Sequence, residues 1–102
     1  MTETNIALDL PASWQFINKK QAQVFTIELA NELCDDHLLM GKTLECIAKK
    51  DARDDFLFIE PNKKQVYVVH LTWQKETSSN YPSFVTFVDR KDFFYNWKRI
   101  YE

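Results

Sequence analysis

QVYVVHLTW, residues Gln65–Trp73, is the longest β-type run in the chain, and its reading decides the fold. Tyr67, Val69, Leu71 and Trp73 share one face at the two-residue period of a strand. Val66, Val68, His70 and Thr72 share the other. The first face is apolar throughout and belongs on a core. The second is half polar and carries one of the two histidines. So many β-branched and aromatic residues predict a central strand, not an edge.

Working outward, Pro61-Asn62-Lys63-Lys64 reads as a turn with Pro61 at its second position. It joins the run to a strand over Asp55–Glu60, whose continuous apolar stretch Phe56–Ile59 implies cover on both faces. The charged Lys49–Asp55 is a loop. Lys42–Lys50 is a strand whose alternation leaves its burial phase undecided. After the central run, Lys75–Pro82 is a polar loop and Ser83–Val88 a further strand. A first helix is expected from Lys19 to Leu39, with Phe25, Leu29 and Leu33 in an apolar stripe and Gly41 as its stop. Asp89 reads as the N-cap of a last helix, with Asp92 three residues on and Phe93, Phe94 and Trp97 at helical spacing. Residues 1–13 read as a mobile lead-in, and Trp14–Ile17 as an apolar piece packed beside the first helix. The expected fold is α+β, in the order α-β-β-β-β-α. Its four-stranded, largely antiparallel sheet has N- and C-terminal helices on one face, in two layers. Phe25, Leu29, Leu33, Phe94 and Trp97 then meet Tyr67, Val69, Leu71 and Trp73.

A chain of 102 residues is one domain, able to bury roughly 65% of its unfolded surface without metals or disulfides. A single glycine argues against a phosphate-cradling loop. No apolar run approaches a membrane span, and the first residues lack the pattern of a secretory signal. A cytoplasmic protein is expected, with Cys34 and Cys46 reduced.

The charge layout is uneven. Residues 28–60 hold nine acids and four bases, a balance of −5. Residues 61–102 hold seven bases and four acids, a balance of +3. An acidic first half disfavours nucleic acid and fits a basic protein partner. Glu28, Glu32, Asp35, Asp36, Asp51, Asp54 and Asp55 are the candidate partner-binding acids. An alternative small ligand site centres on His70, Thr72 and Trp73, with Asp55 nearby. The spacings hold no metal motif: Asp51, Asp54, Asp55 and Glu60 do not match a calcium loop, and the cysteines form no CxxC. His37 suits the capping of a helix end. No cofactor is implied, and no catalytic constellation makes this an enzyme.

HLLMGK (His37–Lys42), IAKKDARDDFLF (Ile47–Phe58), VYVVHLTW (Val66–Trp73) and Tyr81-Pro82 together resemble small bacterial proteins with a G-K…I-A-R-R…D-D-x-L-F…V-H-L-T-W…P arrangement. Here Lys49-Lys50 stands where that pattern has an arginine pair. The resemblance implies no activity. In kind, a small acid-patched domain without catalytic motifs is similar to immunity proteins, including those of contact-dependent growth inhibition. That likeness implies a cognate toxin as partner, such as a basic nuclease, no membrane or nucleic acid, and a monomer or weak dimer.

Overall fold

The computed structural model describes residues 10–101. Strands β1 (Trp14–Phe16), β2 (Glu45–Lys50), β3 (Asp55–Ile59), β4 (Val66–His70) and β5 (Phe84–Phe87) form one sheet. Helices α1 (Lys19–Glu32) and α2 (Arg90–Asn96) complete the fold, the second running into a 3₁₀ segment over Trp97–Tyr101. The sheet order follows the chain, and every neighbouring pair is antiparallel. The α+β class and the meander are as read from the sequence. The strand number is five, not four: Trp14, Gln15 and Phe16 pair with Lys50, Lys49 and Ala48. Three residues are too few to display a period, so only the ladder with β2 reveals this strand. Of the expected mobile lead-in, residues 1–9 lie outside the described residues. The rest packs down, with Pro11 buried and its carbonyl accepting from Trp14 N–H.

β4 is paired on both sides, as its composition predicts. The turn before it is also as read: Lys63 N–H donates to Glu60 O at 3.0 Å, and Asn62 takes the positive φ of the third position. The helices, however, cover opposite faces of the sheet. Leu29, Leu33 and Phe25 of α1 pack with Phe56, Phe58, Tyr67, Val69 and Leu71. Phe93 of α2 and Trp97 after it pack with Trp14, Leu57, Val66, Val68 and Phe87. The expected two layers are thus three, and the apolar far side of β3 is its reason: Leu57 needs its own cover. Trp14 rings stand edge-on to Phe93 and Trp97 at 5.0 and 5.9 Å.

The undecided phase of β2 has a structural cause. Cys46 pairs with Phe58 but Ala48 with Leu57, so one residue, Ile47, is extra. A bulge shifts every later side chain to the opposite face. Cys46 therefore lies in the α1 core and Ala48 in the α2 core.

Helix α1 starts on a capping box in which Asn18 and Gln21 exchange backbone and side-chain bonds. It ends at Glu32, not Leu39. Leu33 is already extended, so Asp35 and Asp36 escape the negative end of the helix dipole. The chain then crosses the sheet with Leu33, Leu39 and Leu44 as apolar anchors. Buried His37 pins that crossing: its Nδ1 accepts from Leu39 N–H at 3.0 Å, which leaves Nε2–H to donate to Pro82 O at 2.8 Å. The histidine thus ties two loops together instead of capping the helix.

Candidate functional site

The strand period ends one residue before Leu71. Leu71 N–H donates to Asp54 O at 3.0 Å, and the backbone then turns so that Trp73 adopts a positive φ of 62°. Non-glycine residues take this conformation only when surroundings enforce it. Here Glu32, fully buried at the end of α1, is the enforcing group. Its carboxylate accepts from Thr72 N–H at 2.8 Å and Trp73 N–H at 2.6 Å, and lies 3.0 Å from Thr72 Oγ1. Its backbone carbonyl accepts from Glu76 N–H. One side chain therefore satisfies two donors that the sheet leaves unpaired, as burial of such groups demands.

Further carboxyls share this corner. Thr72 Oγ1 is also 2.7 Å from Glu76 Oε2. Glu28, one helical turn before Glu32, is half-buried. A hydrogen bond to Glu32, then burial, then the Glu32 charge push the Glu28 carboxyl up to about 7. Glu28 therefore keeps a proton toward neutrality, beside the Glu32 carboxylate.

Glu32 holds Trp73 in place from behind while leaving it 46% exposed. The indole keeps edge contacts with Phe25 at 6.0 Å and Phe56 at 6.3 Å. It is therefore not the core residue that the strand period implies. Two exposed acid pairs flank this end of the sheet. Asp35 and Asp36 follow Leu33, whose carbonyl accepts from Lys75 Nζ at 3.5 Å. Asp51 and Asp54 lie in the β2–β3 turn, next to Leu71 through the Asp54 carbonyl.

Two of the seven candidate acids do not belong to a surface. Glu32 is an internal acceptor, and Asp55 is buried with Oδ1 2.8 Å from His70 Nδ1. Both look like surface acids in sequence because neither helical nor strand spacing announces a partner forty or fifteen residues away. Glu28 is half taken up by Glu32. Asp35, Asp36, Asp51 and Asp54 remain at the surface.

The alternative ligand residues part company. His70, half-exposed, pairs with Asp55 on the α2 side of the sheet. Thr72 turns to Glu32 and Glu76, and Trp73 faces Phe25. Two concavities among the described residues lie instead along β1 and α1. Among the described residues no three His, Cys, Asp or Glu side chains are grouped to hold a metal ion, and no helix is long and apolar enough to cross a membrane. Cys34 and Cys46 are free, and burial pushes the Cys46 thiol up to about 12, which keeps it protonated and unreactive.

No protein-family model, curated protein or solved structure matches this chain.

Proposed function

We propose that this chain is a binding protein that covers a basic partner with the Trp73 end of its sheet, as an immunity-type inhibitor covers a bacterial toxin. The observation that carries the reading is Trp73 itself: a large ring, half-exposed, on a backbone conformation maintained by a buried carboxylate. Pre-organised aromatic anchors ringed by polar groups are where binding energy concentrates in protein interfaces. Asp35, Asp36, Asp51 and Asp54 supply a rim that speeds association with a cationic surface and selects against acidic competitors.

The test is titration against a basic protein that co-purifies with this chain, at low and at high salt. Trp73→Ala and the double reversal Asp35→Lys with Asp36→Lys should each weaken binding at least about tenfold, as the loss of an anchor or of paired charges does. The reversal should also slow association at low salt. Unchanged affinity in both variants would remove this reading.

A further inference from the structure

The sheet ends on two edges, and they differ. At one, β1 is three residues long and Trp14 N–H is already taken by Pro11 O at 3.2 Å. At the other, β5 pairs with β4 on one side alone. His70 N–H donates to Ser83 O at 2.9 Å, and ladder bonds alternate along an antiparallel pair. Val85 and Phe87 therefore bond to β4, while Phe84 and Thr86 turn their N–H and C=O groups outward. Val88, next in the outward series, has its N–H capped by Asp92 Oδ2 at 3.0 Å. Among the described residues the outward backbone groups of Phe84 and Thr86 have no hydrogen-bond partner.

Such an edge is a template for another strand, and proteins that avoid pairing guard it with charge, proline or a bulge. β5 has none of these. It reads Phe-Val-Thr-Phe, pairs with β4 without a register shift, and no charged residue lies between Glu76 and Asp89. Val85 and Thr86 are both exposed. An extended strand is the ligand whose chemistry fits this edge.

The residues of the edge select which strand. A second β5 laid antiparallel about a two-fold axis through Val85 sets Phe84 of one copy opposite Thr86 of the other. These two residues then exchange both backbone bonds, and the symmetry repeats the pair. Val85 meets Val85 across the axis, and Phe87 stands opposite Ser83. Each aromatic faces a small side chain, a pairing that sheets favour for Phe with Thr, and no charge opposes its like. The edge is therefore complementary to itself in hydrogen bonding, size and charge.

We propose that β5 pairs with β5 of a second copy of this chain, so that one sheet runs through both. The pairing stands independently of the function proposed above. Trp73 packs on Phe25 and Phe56, and Phe56 belongs to β3, on the far side of β4 from this edge.

Sedimentation equilibrium over about a hundredfold range of concentration should show the mass rising from monomer toward dimer. Amide exchange at Phe84 and Thr86 should slow at least about tenfold between dilute and concentrated samples. Thr86→Pro removes an outward N–H and spares the ladder with β4, so it should stay monomeric, whereas Thr86→Val should dimerise like the parent. Val85→Cys places its thiols opposite each other with Cα atoms about 4.5 Å apart, within the reach of a disulfide. Under mild oxidation it should form a covalent dimer that neither the parent nor Thr86→Cys forms. If Thr86→Pro fails to fold, the exchange and cross-linking results decide. A chain that stays monomeric up to about 1 mM overturns the proposal, and so does a dimer that Thr86→Pro leaves intact. Equal cross-linking of Thr86→Cys would refute the register and with it the proposal. Protection of Phe84 and Thr86 that appears only when another protein is added would assign the edge to a foreign strand, and overturns it too.

Discussion

Beneath α1 the buried side chains are mostly leucines with Phe56, Phe58 and Tyr67, and two polar groups, Glu32 and His37, are buried beside them. Beneath α2 they are Trp14, Phe87 and Phe93 with smaller aliphatics, and the buried acid of that side, Asp55, sits at the strand end where half-exposed His70 meets it. The α2 face is stabilised by aromatic edges, with Phe87 and Phe93 rings 5.6 Å apart, and by cations over its rings, Lys50 and Lys98 on Trp97 at 5.5 and 5.8 Å. The contrast teaches a division of labour. Apolar area is non-directional and secures α2 as a lid. Buried hydrogen bonds are directional and set where α1 and the Trp73 turn must sit.

Phe93→Ala should have the largest effect. It empties the middle of the α2 face and should cost about 3–5 kcal/mol, lowering the midpoint by more than about 12 °C at this size. The indole resonance of Trp14 should move while that of Trp73 stays. A shift at Trp73 of equal size would show that the two faces are one cooperative unit without the proposed division.

Glu32→Ala should come next, at about 2–3 kcal/mol, because it strands the N–H groups of Thr72 and Trp73 in a buried corner. Here Trp73 should move and Trp14 stay. Glu32→Gln keeps an acceptor and should lose less. If the alanine variant melts like the parent, water replaces the carboxylate and the α1 face is not pinned by it.

The smallest effect is on pH. Glu28 is raised from 4.5 to about 7 in the folded chain. The folded state therefore holds a proton that the unfolded state has released, and stability should fall as pH rises from about 4.5 to about 7. Glu28→Gln should flatten that part of the profile. A slope unchanged in the variant would show that Glu28 is not its source.

Period alone determined much of this protein. The apolar face Tyr67, Val69, Leu71, the Pro61 turn and the Asp89 cap depend on neighbours within four residues, and all are found: Asp92 N–H meets Asp89 Oδ1 at 2.8 Å. Local sequence dictates such features because their partners are local. Trp73 shows the limit. The period that correctly places Leu71 would send Trp73 inward, but a carboxylate forty-one residues earlier bends the backbone first.

Only the tertiary structure decided which of the acids are surface and which are internal. Glu32 and Asp55 have the same formal charge as Asp36 and Asp54. What separates them is whether a distant donor, Trp73 N–H or His70 Nδ1, comes within hydrogen-bond reach. The same holds for the side each helix covers. Each apolar stripe specifies that a surface must be buried. The bulge at Ile47 and the pairing of Trp14 with Lys50 determine which face receives α1 and which α2, because burial has no direction until a second element supplies one.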